Sequence, residues 1–333
     1  MSAVAKSSQD RSPAQGRGPY RHLVYGLALE SDFPFVSIGE VPDEGMETSI
    51  RLTLAPPEYF RRKAARPAAN PDEWIQHAIL DDGSVHMKIR GIFEAIVAAD
   101  GRSVACMRPD EADQGSFEAN LLNFVLSAAL TLQGEEPLHA TVLALGEGVV
   151  ALLGPSGAGK STLAAFLIGQ GARLITDDML RLTFIEGRGY AHYGPNRLKL
   201  LDEPAQRLLP GSIAAGYFNS LSGKLMVQPE DPLGSRRTPL PLTALFWLGD
   251  EPPADSSAVG EVRVTRLRGM ELMRILTSSA MNIRDYSPSR LARQLRFAER
   301  VARALPVHAL VYPRDYELLG RVAEEIRKIV RAP

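Results

Sequence analysis

A chain of 333 residues, 45% apolar and 23% charged with a net charge of −1, has room for two domains and no field to attract a polyanion; nucleic acid is not an expected partner. Its single cysteine, Cys106, excludes internal disulfides and cysteine-built metal sites, and the six scattered histidines form no HxH or HxxxH pair. The longest clean apolar run, "LLNFVLSAALTL" (121–132), is too short to cross a bilayer, and the opening "MSAVAKSSQDRSPAQGRGP" lacks the apolar core of a signal peptide, so a cytoplasmic protein without membrane contact is expected.

Residues 1–19, polar and rich in Ser, Pro and Gly, read as a disordered tail. "HLVYGLALES" (22–31) has strand-like content, and "TSIRLTLA" (48–55) alternates at period two. "VHMKIRGIFEAIVAADGRSVACMRP" (85–109) reads as three strands joined by glycine turns, which suggests a small antiparallel meander. The intervening "PPEYFRRKAARPAANPDEW" (56–74), broken by Pro and Arg, reads as loop-rich. A helix follows, with Ser116 as its cap, Leu121, Leu122, Phe124, Val125, Ala128, Ala129 and Leu132 on a broad apolar face, and Gly134 as its stop. "GEEP" (134–137) marks the expected boundary between a strand-rich α+β domain (20–134) and an α/β domain (135–333).

In the second half, "LHATVLALGEGVVALLG" predicts two strands around a Gly146–Gly148 turn. A helix from Lys160 to Gly169 follows, then "ARLITDD" as a short buried strand whose apolar run suits a central position. "MLRLTFIEGRGYAHYG" reads as a strand pair and "PLTALFWLGDE" (241–251) as a buried strand. Ser287 and Pro288 open a long helix to about Leu305, "VHALVY" (307–312) is a strand, and "RDYELLGRVAEEIRKIV" is a closing helix.

The chemistry concentrates at Gly154-Pro155-Ser156-Gly157-Ala158-Gly159-Lys160-Ser161, which satisfies G-x-x-x-x-G-K-[ST] between an apolar strand and a helix, with Thr162 next. Glycines let backbone N–H groups curl round phosphate oxygens, and the helix N-terminus adds partial positive charge. Lys160 is placed for the β- and γ-phosphates and the Ser161 hydroxyl for Mg²⁺. Asp177 and Asp178 end the next strand, where adjacent carboxylates point to opposite faces. One would then hold Mg²⁺ and the other take the acceptor's proton; the alternative is that one merely caps the following turn. Lone strand-end histidines such as His139 are more often structural than catalytic.

"PLHATVLALGEGVVALLGPSGAGKSTLAAFLIGQGARLITDD" closely resembles the core of HPr kinase/phosphorylase, with His139, Gly154–Ser161 and Asp177-Asp178 matching its His, P-loop and Asp-Asp. The resemblance implies a P-loop kinase fold shared with ATP-dependent phosphoenolpyruvate carboxykinase. It implies ATP and Mg²⁺ as cofactors, Asp177 as the base acting on a serine hydroxyl, Asp178 as support for Mg²⁺, and a functional His139 beside them. The Arg-Gly signature of the bifunctional enzymes is missing after the Asp-Asp strand, and the first 130 residues differ from their N-terminal domain. "YGLALES", "LHATV", "GPNRLKL" and "LPVHALVYPRD" look more like the related kinases of natural-product clusters, of which those linked to lasso peptides phosphorylate a serine of the precursor. A peptide or protein acceptor is expected, with a small-molecule acceptor as the alternative and a homo-oligomer left open by the hexamers of the bifunctional family.

Arg197 and Lys199, two residues apart in "YGPNRLKLL", stand open between phosphate or acceptor contacts and a solvated edge. Lys224 and Arg236-Arg237 stand open between a cationic loop over the phosphates and ordinary surface charge. Arg284, Arg290, Arg293 and Arg296 read as a solvated helix face. "LSGKL" (221–225) with Asp250-Glu251 mimics an ABC-type ATPase, but the second glycine and the glutamine of its signature are absent and Gly249 interrupts the apolar run; a regulatory P-loop ATPase is the weaker alternative.

Overall fold

The structure, a computed structural model, describes residues 19–42, 47–64, 75–146, 148–213, 217–219, 223–230, 238–249, 261–281 and 287–331. It is a mixed α/β protein. The expected tail lies almost wholly outside these residues, as do Arg236-Arg237, Asp250-Glu251 and Arg284.

Strands β1 (Tyr20–Val24) and β2 (Leu27–Ser31) form a hairpin whose turn, Tyr25-Gly26, has both φ values positive, at 54° and 67°. That mirror-image geometry matches the twist of paired strands. β3 (Ile50–Leu54) buries Ile50 and Leu52 and turns Arg51 outward, as its alternation requires. Next come helix α1 (Pro57–Lys63) and strands β4 (Ile75–Ile79), β5 (Val85–Ile89), β6 (Phe93–Val97) and β7 (Ser103–Met107). They form one sheet in the order β1-β2-β3-β7-β6-β5-β4. The antiparallel meander expected over 85–109 is present as β5-β6-β7. The sheet as a whole is mixed, because β3 lies parallel to both β2 and β7; alternation fixes which face a strand buries, not the direction of its neighbours. The stretch expected to be loop-rich contains α1, which Pro57 opens at a position where its missing N–H costs nothing and in which Phe60 is buried; its remainder, 65–74, lies outside the described residues.

A longer helix crosses this sheet in three parts: α2 (Gln114–Asn120), one wider turn (Leu121–Val125) and α3 (Leu126–Leu132). Its cap is Asp113, whose carboxylate accepts from Ser116 N at 2.7 Å, and not Ser116, which is buried in the first turn. The better acceptor three residues upstream starts the helix earlier. Leu121, Leu122, Val125 and Leu126 pack with Ile50, Leu52 and Phe93, whereas Phe124 of the predicted face is exposed.

The second sheet is built from β8 (Ala140–Ala144), β9 (Val149–Leu153) and β10 (Arg173–Thr176), with helix α4 (Lys160–Gly169) between the last two. The chain then makes a hairpin, β11 (Leu182–Ile185) and β12 (Arg188–Ala191), followed by β13 (Leu198–Leu200), α5 (Asp202–Leu208) and α6 (Pro210–Ile213). After β14 (Tyr217–Asn219), β15 (Lys224–Val227) and β16 (Leu240–Pro241) it returns to the sheet as β17 (Ala244–Leu248) and β18 (Arg263–Arg266). Helices α7 (Gly269–Ser278) and α8 (Pro288–Ala304), strand β19 (Val307–Val311) and helix α9 (Leu319–Arg331) complete it.

The sheet order is β10-β8-β9-β17-β19-β18, with β9, β17 and β19 parallel. Leu163 and Leu167 of α4 and Val322 and Ile326 of α9 cover one face; Ile275 of α7 and Ala298 and Val301 of α8 cover the other. β10 is antiparallel to β8, itself antiparallel to β9, so the carboxyl ends of β10, β9, β17 and β19 share one edge. β10 is an edge strand, contrary to the central position expected. The segment leading to Gly194, whose N–H donates to Ile175 O at 3.0 Å, covers its outer side and accounts for the apolar run.

The "GEEP" stretch and α8 meet in buried ion pairs. Glu136 is 1% exposed between Arg290 and Arg293, and Arg181 forks onto Glu135 while donating to Tyr25 O at 2.9 Å. Arg290 is therefore not solvated; it lies on the buried i, i+4 line with Gln294 and Ala298, while Arg296 is exposed as expected.

Candidate functional site

The loop 154–159 leaves the end of β9 and enters α4 through Gly159, whose φ of 87° belongs to the left-handed region. At Gly154 a Cβ would lie 3.1 Å from Leu248 O and from Ala158 Cβ, so only glycine lets the loop pass so close to β17. Lys160, the first residue of the helix, is buried, and its ammonium folds back to donate to Gly154 O at 2.7 Å and Pro155 O at 3.0 Å. Burial lowers its pKa, against the pull of Asp177 and Asp178.

β10 ends at Thr176, and here the prediction of opposed carboxylates fails. Asp178 has a φ of 68°, Met179 N donates to Asp177 O at 2.9 Å, and the tight turn brings both carboxylates to the same cleft. Period-two alternation ends where the extended backbone ends. Asp177 is held on both oxygens, by the Thr141 hydroxyl at 2.7 Å and by Lys199 N at 3.0 Å. Asp178 pairs with Lys199 Nζ at 2.6 Å. One lysine thus serves the two carboxylates by different atoms.

Their electrostatics diverge accordingly. Burial, and then the neighbouring Asp178 charge, push the Asp177 carboxyl up to about 6. Burial also opposes ionisation of Asp178, but the Lys199 ammonium outweighs it and holds that carboxyl below its usual range. His139 Nδ1–H donates to Asp178 O at 2.9 Å; burial, then Lys160, depress its pKa, so it braces the turn as a neutral imidazole.

Ser156, Gly157, Gly159, Lys160, Ser161 and Thr162 line the loop side of a cleft of about 240 Å³, and His139, Asp177, Asp178, Lys199 and Lys224 line the rest together with the apolar Leu200, Leu201 and Pro204. Arg197 does not line it. It precedes β13, outside the alternation that was to pair it with Lys199, and its buried guanidinium donates to Ala119 O at 3.3 Å. Two neighbours escaped the sequence reading: Thr141, whose buried strand position gave no polar signal, and Arg314. A Cβ on Gly159 would sit 3.6 Å from Arg314 Cδ, and the guanidinium bonds Gly249 O at 2.6 Å and stacks on Tyr312.

The residues fit the groups that the motif implies. Curled loop amides, a helix N-terminus and three lysines suit a polyphosphate. The Ser161 hydroxyl and Asp178 are hard oxygen donors suited to Mg²⁺. Among the described residues no group of three or more His, Cys, Asp or Glu is placed to hold a metal ion. No helix among them is long and apolar enough to cross a membrane.

No family model and no curated protein matches the chain. Among solved structures, the chain is similar to the Hpr(Ser) kinase/phosphatase from Coxiella burnetii, at 12% identity over 58% of this chain and 94% of that one, with a TM-score of 0.30. A likeness at that level decides nothing about activity.

Proposed function

We propose that the protein is an ATP- and Mg²⁺-dependent kinase that transfers the γ-phosphoryl group to a hydroxyl, that of a serine in a peptide or protein such as a ribosomally made natural-product precursor. One observation carries the reading: beside a phosphate-binding loop, two adjacent carboxylates share a cleft with opposite pKa shifts, Asp177 up to about 6 and Asp178 down. A base near neutrality and a permanently ionised metal ligand are the two carboxylates that phosphoryl transfer requires.

The Asp177 carboxylate takes the acceptor's proton as the hydroxyl oxygen attacks the γ-phosphorus, and the bond to the β–γ bridging oxygen breaks to release ADP. Thr141 and the Lys199 amide fix the direction of that carboxylate. Lys160 moves from the loop carbonyls to the phosphates, and Lys224 adds charge from β15. Mg²⁺, when bound at Ser161 and Asp178, neutralises charge on the phosphate oxygens. The test is Asp177→Asn with γ-labelled ATP and candidate peptides: nucleotide binding persists while transfer falls by about 10²–10⁴-fold. Transfer near the wild-type rate would remove Asp177 as base. Label released only as free phosphate would favour an ATPase.

A further inference from the structure

Tyr25, Asp178 and Glu186 are the non-glycine residues with positive φ among the described residues, at 54°, 68° and 50°. Tyr25 and Glu186 head the same kind of turn, Tyr25-Gly26 between β1 and β2 and Glu186-Gly187 between β11 and β12. The Glu186 side chain is exposed, as such a turn allows. Tyr25 is 1% exposed, although a bulky aromatic is disfavoured at a position that suits Asn, Asp or Gly. Strain held at a fully buried side chain calls for a reason beyond the turn.

The ring lies behind the acidic turn. A Cβ on Gly194 would sit 2.2 Å from Thr176 Oγ1 and 2.6 Å from Tyr25 Cε1, so a glycine there is what lets the phenol and the threonine approach. Tyr25 N donates to Tyr193 O at 2.6 Å and Tyr25 O accepts from Arg181 at 2.9 Å, which pins the backbone on both sides. The phenol faces the Thr176 hydroxyl, and Thr176 Oγ1 donates to Met179 O at 3.0 Å, across the base of the turn that carries Asp177 and Asp178.

We infer that Tyr25 is a positioning residue, which holds Thr176 and through it the Asp177–Met179 turn, so that a hairpin of the first sheet is part of the catalytic apparatus. The inference rests on the kinase reading. Burial raises the phenol's pKa, so it stands as a neutral hydroxyl beside the turn at all working pH values.

The experiment compares Tyr25→Phe, Thr176→Val and their combination, with Glu186→Asn as the turn control. Tyr25→Phe keeps the ring and lowers kcat about tenfold or more, since small misplacements of a reacting group are costly, while the KM for ATP and the Kd for MgATP hold. Thr176→Val does the same, and the double variant is no worse than either single one, because both act through one path. Glu186→Asn leaves kcat unchanged. Amide exchange at Met179, whose N–H bonds Asp177 O, speeds up in Tyr25→Phe without any need for turnover. If the wild type transfers no phosphate, the kinase reading falls, and exchange at Met179 still decides the role of Tyr25. Wild-type kcat and wild-type exchange in Tyr25→Phe, or fully additive losses, would overturn it.

Discussion

Thr141→Val isolates the bond that directs the proposed base. The side chains are isosteric, Thr141 is wholly buried in β8, and Asp177 loses only the hydroxyl donor at 2.7 Å. A hydrogen bond to a charged group is worth about 1.5–3 kcal/mol, and one pKa unit corresponds to about 1.4 kcal/mol, so the carboxyl should rise by about one to two units. From a starting value of about 6, the ionised fraction at pH 7 drops from about nine-tenths to between about a half and a tenth. Because the base must be ionised to act, activity in the wild type is lost as pH falls through about 6. In the variant the same loss begins one to two units higher and is largely recovered near pH 9. The assay is single-turnover transfer at saturating ATP and acceptor across pH 5 to 9.5. An acid limb that coincides with the wild type's, or a loss that no alkaline pH restores, would refute the reasoning; Thr141→Ser should return the profile to its original place.

Gly194→Ala drives a methyl group against Thr176 and Tyr25 and should cost about 1–3 kcal/mol, read as a lower denaturant midpoint; an unchanged midpoint would mean that the segment yields freely. His192 gives the fold a pH dependence of its own. Burial, then Arg181, lower its pKa to about 4 against an ordinary 6.5, so the unfolded chain binds more protons between those values. Its contribution is present above pH 6.5 and is lost as pH falls toward 4, up to about 3 kcal/mol. His192→Gln should flatten that part of the stability curve in chemical denaturation at pH 7 and pH 5, and parallel curves for the two proteins would remove His192 as its source.

Legibility in the sequence followed the range of the interactions involved. The glycine-rich loop 154–159, α4 and the β8–β9 hairpin are local: glycines, an apolar strand and helix periodicity name them without help from distant residues. The edge place of β10 and the parallel pairings of β3 depend on partners far along the chain, which no window of residues contains. The carboxylate pair was found but misdirected, because the positive φ of Asp178 leaves no mark in a sequence where aspartate replaces the usual glycine. Arg290 shows the same limit: an arginine among arginines on α8 looks solvated until Glu136, remote in sequence, turns out to be buried beneath it.

β9, the strand that delivers the loop, pairs on one side with β8, its immediate neighbour in sequence, and on the other with β17, where Ala151 faces Leu245. During synthesis the hairpin therefore exists long before its second flank has been made. Until β17 arrives, the strand that carries the glycine-rich loop has an unpaired apolar edge, open to association with any similar edge nearby. Full protection of the nascent chain, and with it the proposed nucleotide binding, should appear late, when β17 docks, and truncations that stop short of Leu248 should yield an aggregating hairpin.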